Sequence, residues 1–395
     1  MAREVGIGLL GVGWMGELHT ASYRRVRDHY PDAAGVPRLV IAADAVEPRA
    51  RIAAERLGYE QWTTDWQEVI DHPEVEAVSI TAPNHLHREM VLAAASAGKH
   101  FWGEKPLGRD PAETVEAATA AIEADVRTIV GLNYRHAPAV QYAKELLVSN
   151  RLGEVRHFRS DFLASYASNP AGALSWRFSR ELAGLGILYD LMSHQVDLTQ
   201  FLMGPIGRVS ARSATFIQER PKVDMGSGTH FSVAEGGELG PVENEDWVAA
   251  LVELSGGLCA ALETSRVAVG PEARYRFEVN GSDGAMMWNF ERMNELELFL
   301  PLPTGDRGYT TVIMGPEHPE FARFQPGAGI PMGYGDLKVI EAHLFLESVV
   351  DGVQREPGVL EMASTARVLA AMVRSFESEA WESVEPAAVP AQEPA

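Results

Sequence analysis

The sequence predicts an α/β protein with two domains, a doubly wound parallel sheet followed by an α+β domain with a large, mostly antiparallel open sheet. A glycine-rich turn follows the first apolar segment, and strand-like and helix-like segments then alternate as far as residue 135. Beyond that point, short alternating segments are joined by glycine turns. We therefore expect domains over 1–135 and 136–380, with a flexible Pro-rich tail over 381–395.

Composition limits the partners. The 395 residues are 46% apolar, enough to bury two cores, and 55 acidic against 34 basic residues give a net charge of −21. Nucleic acids and anionic membranes attract clustered Lys and Arg, so this balance favours a small-molecule ligand. The single Cys259 excludes an intramolecular disulfide and fits a reducing cytoplasm, where we expect the protein. We expect neither a signal peptide nor a membrane span.

The glycine-rich turn has the features of a dinucleotide-binding turn. A strand predicted over 5–10 runs into Gly11-Val-Gly13-Trp-Met-Gly16, which opens a helix toward Tyr30. In this context G-x-G-x-x-G permits a tight turn, close approach of the backbone to a diphosphate and close helix packing.

A second strand, predicted over 38–44, ends in Asp44, which is placed to bind the ribose hydroxyls of adenosine. Its distance from Gly16, 44 − 16 = 28 residues, is explained by a loop insertion over 32–37. No cation follows Asp44 directly to bind a 2′-phosphate, so NAD is favoured over NADP. Arg49, five residues after Asp44, could reverse this preference by binding a 2′-phosphate. The favoured interpretation is that Arg49 lies on a solvent-exposed helix.

Two further segments share the carboxyl edge of this sheet. Strands are predicted over 77–80, 101–103 and 128–132, and the turn 81–87 and Glu104-Lys105-Pro106 follow the first two of them. Ligands bind at this edge in doubly wound sheets. Lys105 is therefore either a surface ion pair or a held proton donor to a substrate oxygen. His85 and His87 lack partners for a metal site, so a cofactor-lining or capping turn is favoured and no metal is predicted.

The second domain carries an unusual helix. Over 187–197, Asp190, His194 and Asp197 share one face of an otherwise apolar segment. This pattern is either a satisfied core histidine with a capping acid or a catalytic group, and the upstream lysine favours catalysis. Strands are predicted over 155–163, 209–216, 247–254, 258–265, 275–280 and 285–288, and helices over 138–149, 336–350 and 361–377. Because the open sheet needs cover, we expect a homo-oligomer, either a dimer or a homotetramer.

Together these motifs resemble the Gfo/Idh/MocA oxidoreductase family over nearly the whole chain. The resemblance rests on the glycine turn, Glu104-Lys105-Pro106 and the spacing of Gly186, Asp190, His194 and Asp197. Ser175-Trp-Arg-Phe178 and Gly333-Tyr-Gly-Asp336 are similar to the levoglucosan-dehydrogenase-like branch, which acts on anhydrosugars and related pyranosides. That branch has polar residues after the strand near Asp161, whereas this chain has Phe-Leu-Ala-Ser-Tyr over 162–166, so its sugar contacts would differ.

The resemblance implies a Rossmann domain and NAD-dependent oxidation of a ring hydroxyl of a sugar, anhydrosugar or cyclitol. It implies that His194 takes the hydroxyl proton, that Lys105 donates to the same oxygen and that Asp190 orients the substrate or the base. These three would contact the substrate together with Tyr134 and Arg177, while Trp176 is either core or a sugar platform. The implied cofactor contacts are Gly11, Gly13, Trp14, Met15, Gly16, Asp44, Thr81, Pro83, Asn84, His87, Glu104 and Lys105. The alternatives are a keto-sugar reductase, an enzyme with tightly bound NAD(P), and a non-catalytic dinucleotide or sugar sensor.

Overall fold

The structure is a computed structural model that describes residues 2–222, 233, 236–301 and 305–386. The chain forms two units. The first comprises Met1–His136, Glu320–Pro326 and Ile330–Ala363, and the second comprises Ala137–Pro319, Gly327–Gly329 and Ser364–Ala395. The sequence assigns everything from 136 to 380 to the second domain, whereas the first unit also contains His136, Glu320–Pro326 and Ile330–Ala363.

The helices alternate with strands in the first part of the chain and are divided between the two units beyond it. They are α1 (Trp14–His29), α2 (Glu47–Arg56), α3 (Trp66–Asp71), α4 (Asn84–Ser96), α5 (Pro111–Glu123), α6 (Pro138–Val148), α7 (Arg180–Ala183), α8 (Ser193–Met203), α9 (Phe321–Phe324), α10 (Tyr334–Asp351) and α11 (Val359–Ser378). No helix in the described part of the chain is both long enough and apolar enough to cross a membrane.

Parallel strands form the sheet of the first unit. They are β1 (Arg3–Leu10), β2 (Gly35–Ala43), β3 (Gln61–Thr63), β4 (Ala77–Ile80), β5 (His100–Gly103) and β6 (Thr128–Val130). Their spatial order is β3-β2-β1-β4-β5-β6, so the direction of winding reverses between β1 and β4. This reversal defines a doubly wound sheet, as predicted, and places its ligand crevice at the carboxyl ends of β1 and β4.

Helix α10 completes the core of the first unit although it comes late in the chain. Its side chains Val339, Ala342 and Phe345 are fully buried in one apolar cluster with Val5 and Trp102. The apolar residues of this helix indicate that it is largely buried, but they do not show which sheet it covers. The domain prediction therefore assigned the helix to its neighbours in sequence.

The sheet of the second unit is mixed. Its strands and those of a small ribbon are β7 (Val155–Ala164), β8 (Ile206–Ala214), β9 (Glu219–Pro221), β10 (Leu239–Pro241), β11 (Trp247–Leu254), β12 (Cys259–Ser265), β13 (Ala273–Gly281), β14 (Ala285–Asn289), β15 (Glu295–Phe299), β16 (Thr310–Ile313) and β17 (Glu382–Ser383). The order in the sheet is β16-β15-β14-β13-β7-β12-β11-β8-β17, and β9 pairs with β10. Among the described strands of this large sheet, only the β7–β12 pair is parallel. The prediction of a large, mostly antiparallel sheet is confirmed.

Local details differ from the prediction at several places, of which three follow. β2 begins at Gly35, inside the predicted loop 32–37, because β1 extends back to Arg3 and pairs with it. β6 ends at Val130 rather than at residue 132, and Asn133–His136 forms a 3₁₀ turn after it. The predicted tail begins with β17, which pairs with β8, whereas residues 387–395 lie outside the described residues.

Candidate active site

The glycine turn between β1 and α1 is tightly packed. Gly11 has a φ of +98°, and a Cβ there would lie 2.8 Å from the backbone nitrogen of Ala82. A Cβ at Gly16 would lie 2.2 Å from the carbonyl oxygen of Gly11. The Thr81 hydroxyl donates to that same carbonyl at 2.7 Å. The turn is therefore fixed against the end of β4, where doubly wound sheets hold the diphosphate of a dinucleotide.

Gly13 faces open space, with no heavy atom within 4 Å of the place where its Cβ would be. A diphosphate needs this room to approach the backbone, so the turn fits a dinucleotide. Trp14 follows and is 67% exposed, with its indole nearly parallel to the Tyr334 ring at a centroid distance of 6.1 Å. Met15 is half-buried in the first turn of α1.

The Asp44 carboxylate is held by the backbone at the end of β2. Its Oδ2 accepts from the amide of Val12 and its Oδ1 from the amide of Val46, both at 2.9 Å. Each oxygen keeps a lone pair for a further donor. The carboxylate is thus fixed directly beside the glycine turn, as recognition of a ribose requires.

The turn after β4 is tied to the turn after β5 by His87. Pro83 is the N-cap of α4 and Asn84 is its first residue. The His87 side chain is buried, and its Nδ1 and Nε2 lie 2.5 and 2.6 Å from the carbonyl oxygens of Pro106 and Ala82. Burial lowers the pKa of His87, although the two carbonyls oppose the shift. The sequence placed His87 among the cofactor contacts, but both ring nitrogens are engaged within the protein.

Among the residues that the structure describes, no group of three His, Cys, Asp or Glu side chains is arranged to hold a metal ion. Burial lowers the pKa of His85, which lies two residues before His87.

Glu104 directs its carboxylate into a buried charged cluster that the sequence did not predict. Oε1 accepts from Lys338 Nζ at 2.6 Å and lies 3.0 Å from His19 Nε2. Lys338 also contacts Glu341 Oε2 at 2.9 Å. Glu104 was predicted as a cofactor contact, yet its side chain is committed to these partners. The signal in the sequence was a Lys-x-x-Glu pair within an apolar helix.

The members of the cluster differ in their charge near pH 7. Burial disfavours ionisation of Glu104, yet Lys338 and His19 hold the pKa of Glu104 well below its usual range. Burial lowers the pKa of His19 to about 4, so His19 is neutral near pH 7. Burial raises the pKa of Glu341 to about 7. Lys338 is therefore the cation that faces Glu104.

Lys105 follows Glu104 at the carboxyl edge of the sheet and is half-buried. The peptide bond between Lys105 and Pro106 is cis. Tyr134, in the 3₁₀ turn after β6, is 8% exposed, and its ring centroid lies 6.2 Å from that of Tyr334. The roles of Lys105 and Tyr134 toward a substrate remain predictions.

In the second unit, Asp190 and His194 lie on two different kinds of helical turn. Asp190 is in a π-turn, Leu188–Met192, and His194 is in the first turn of α8. The sequence predicted one α-helix over 187–197, in which residues four apart share a face. The π-turn changes that phase, because its hydrogen bonds run from i to i+5. Asp197 is 2% exposed and lies deeper in α8.

Asp190 is oriented by two side chains. The Tyr166 hydroxyl donates to Asp190 Oδ2 at 2.5 Å, and Arg177 Nη1 lies 3.8 Å from Oδ1. Tyr166 was not among the predicted site residues, although a tyrosine just after a strand was its signal. Nearby, the ring of Phe162 lies 6.5 Å from that of His194, and Tyr275 donates to the His194 carbonyl at 2.8 Å.

The Trp176–Phe178 turn that carries Arg177 has its own support. Asn244 Nδ2 donates to the Arg177 carbonyl at 2.9 Å. The Arg220 and Arg266 guanidinium carbons lie 4.4 and 4.6 Å from the centroid of the Phe178 ring. The Arg177 guanidinium lies 4.6 Å from the Trp176 ring, so both aromatic side chains of this turn make cation–π contacts.

This fold and these groups define an oxidoreductase with an NAD-binding Rossmann domain. Two family profiles match the chain: the oxidoreductase family with an NAD-binding Rossmann fold over residues 5–132, and the GFO/IDH/MocA C-terminal domain over residues 140–287. The chain belongs to the Gfo/Idh/MocA family, as the sequence motifs predicted.

Individual relatives within the family are similar to this chain over most of its length. The chain is 34% identical over 385 residues to levoglucosan dehydrogenase from Pseudarthrobacter phenanthrenivorans, covering 97% of this chain and 98% of the relative. It is 26% identical over 303 residues to myo-inositol 2-dehydrogenase from Thermotoga maritima, covering 76% and 80%. A solved levoglucosan dehydrogenase in complex with NADH and L-sorbose is similar with a TM-score of 0.91 at 34% identity, covering 96% of this chain and 99% of that one.

Proposed function

We propose that this protein oxidises a ring hydroxyl of a sugar, anhydrosugar or cyclitol to the ketone, in a reversible NAD-dependent reaction. The observation that carries the proposal is the end-to-end match of the chain to a levoglucosan dehydrogenase. The tightly packed glycine turn and the oriented Asp190 carboxylate support it, because both groups suit the chemistry of such a reaction.

In the proposed reaction, the residues of the chain manage the proton and the charge on oxygen. His194, as a neutral imidazole, takes the proton of the substrate hydroxyl, and Lys105 donates a hydrogen bond to the same oxygen as negative charge develops on it. Asp190, held by Tyr166, orients the substrate or the base. Tyr134 and Arg177 are proposed to contact the other hydroxyls of the ring.

NAD, when bound, supplies the acceptor for the hydride that leaves the ring carbon. The residues proposed to hold it are the glycine turn with Trp14 and Met15, together with Asp44, Thr81, Pro83 and Asn84. The side chains of Glu104 and His87 are engaged in buried bonds within the protein, so we propose that these two residues contact the cofactor through their backbone. Lys105 is proposed to contact it through its backbone or its side chain.

The test is an oxidation assay with NAD and a panel of pyranosides, anhydrosugars and inositols, followed by the absorbance of NADH. We expect at least one member of the panel to give turnover, with NAD preferred to NADP. The reverse direction is assayed with the matching ketones and NADH. No turnover in either direction, with either cofactor and any member, would contradict the proposal.

We also propose that the protein is a homo-oligomer, a dimer or a tetramer, that associates through the open face of the large sheet. Strand β11 alternates buried and more exposed residues, and Leu251 on the outward side is 53% exposed. An apolar residue on an open sheet face is favourably covered by a second copy. Light scattering after size exclusion should give a molecular mass of two or four times 43.1 kDa. Leu251→Lys should lower this mass, and a monomeric native protein would contradict the proposal.

For its location we propose the cytoplasm, because a single exposed cysteine suits a reducing compartment. Fractionation of the source cells with an antibody against the protein tests this proposal. Recovery in a secreted or membrane fraction would contradict it.

A further inference from the structure

A lysine from far along the chain holds the carboxylate that directly precedes Lys105. Lys338, on α10, donates to Glu104 Oε1 at 2.6 Å, and both Lys338 and Glu341 are fully buried. Removing an ammonium from water is costly, and well-packed apolar side chains are often at least as stabilising as a buried ion pair. Stability alone is therefore a weak reason for Lys338 to lie here.

The Glu104 carboxylate is also held by residues other than Lys338. His19 approaches Oε1 at 3.0 Å and stacks on Trp102, the residue two before Glu104, with ring centroids 3.5 Å apart. Gly131 also packs against the carboxylate, because a Cβ there would lie 2.5 Å from Oε2. The carboxylate is thus enclosed by α1, α10 and the segment that follows β6.

We propose that Lys338 is a positioning residue for Lys105. The backbone amide of Glu104 donates to the Ile80 carbonyl at 2.9 Å, which continues the pairing of β5 with β4. Glu104 directly follows β5 and Lys105 lies in the bend after it, so fixing Glu104 by both its backbone and its side chain fixes the point from which Lys105 leaves the edge of the sheet. This proposal rests on the proposed function, in which Lys105 acts on the substrate oxygen.

The expected effect is on turnover. A misplacement of about 1 Å at a reacting group can cost roughly 100-fold in rate. Loss of the Lys338–Glu104 bond should therefore lower kcat while the glycine turn and Asp44, which hold the dinucleotide, keep their own contacts. A purely structural role would lower the melting temperature without this selective loss.

The decisive variant is the double substitution Lys338→Met with Glu104→Gln, which removes the bond together with both of its charges, while Glu341, which also faces Lys338, can take up a proton. Lys99→Met is the matched control, because Lys99 precedes β5 at its other end and donates to the carbonyls of His72 and Val75 at 3.2 and 2.5 Å. Each protein is assayed for kcat with the best sugar of the panel, for the Kd of NADH and for melting temperature.

We expect the double variant to lose at least tenfold in kcat, to bind NADH within about twofold of the wild type and to melt near the control, while Lys99→Met keeps wild-type kcat. A folded double variant with wild-type kcat would overturn the proposal, as would an equal loss of kcat in Lys99→Met. The single variant Lys338→Met should lose kcat at least as strongly where it folds.

Lys105→Ala is assayed beside these variants. If it loses turnover while the double variant does not, the positioning role fails and the proposed function stands. If it keeps full turnover, the proposed role of Lys105 fails first, and the positioning role fails with it.

Discussion

The hydroxyl of Tyr166 donates a 2.5 Å hydrogen bond to Oδ2 of Asp190. Burial raises the pKa of Tyr166 well above its usual value, and the charge of Asp190 adds to the shift. The phenol therefore remains a donor throughout the pH range of an enzyme assay. With Arg177 near the other oxygen, the carboxylate is oriented by the second unit itself.

Tyr166→Phe should lower kcat/KM for the sugar by about 10- to 100-fold, because a hydrogen bond to a charged group contributes about 1.5–3 kcal/mol. The Kd of NADH should not change, since Tyr166 lies outside the dinucleotide-binding unit. Steady-state kinetics and a binding titration measure the two effects. Tyr309→Phe, at a 43% exposed tyrosine, serves as the control; wild-type kcat/KM in Tyr166→Phe would show that the bond has no role.

The middle and last glycines of the turn should respond differently to alanine. Gly16→Ala places a methyl group 2.2 Å from the Gly11 carbonyl, so it should lower the melting temperature and abolish NADH binding. Gly13→Ala meets no atom within 4 Å and its φ of −98° suits alanine, so the fold should keep its melting temperature. Its methyl should nevertheless raise the Kd of NADH at least tenfold. Wild-type affinity for NADH in Gly13→Ala would contradict the proposal that the diphosphate lies against Gly13.

Asp44→Ser should relax the preference for NAD. The shorter side chain loses the carboxylate that the Val12 and Val46 amides hold in place for the ribose hydroxyls. We expect the Kd of NAD to rise by about tenfold and that of NADP to change less, as measured by calorimetry. Asp32→Ser, at an exposed aspartate, is the control. Unchanged discrimination between the cofactors would remove the role assigned to Asp44.

Glu341 should give the wild-type protein a distinctive pH dependence of stability. Its pKa is raised by burial to about 7 from an ordinary 4.5, so the folded state holds a proton that the unfolded state has released between these values. As pH rises from 4.5 to 7, this group should therefore lower the free energy of unfolding by about 3 kcal/mol.

The neutral isostere in Glu341→Gln lacks this contribution. Its stability relative to the wild type should increase as pH rises from 4.5 to 7 and level off above 7. Urea unfolding at a series of pH values measures the difference. A difference that stays constant over this range would show that Glu341 titrates normally.

The motifs were readable from the sequence because each depends on residues close together in the chain. The glycine turn and the strands beside it needed only local pattern, and the large sheet needed only alternation. The cluster of Glu104 and Lys338 joins residues 234 positions apart, and local pattern cannot pair them. The π-turn at Asp190 was missed because its sequence has the same apolar spacing as an α-helix.

The central claim is that the side chains of Lys105 and His194 act on the substrate hydroxyl and are not required for binding of the dinucleotide. The most direct measurement is the rate of NADH formation at saturating NAD and sugar, compared among the wild type, Lys105→Ala and His194→Ala, with the Kd of NADH determined for each protein. We predict that both variants lose at least 100-fold in turnover and bind NADH within about twofold of the wild type. Turnover close to that of the wild type in either variant, or loss of NADH binding in a folded variant, would contradict the assignment.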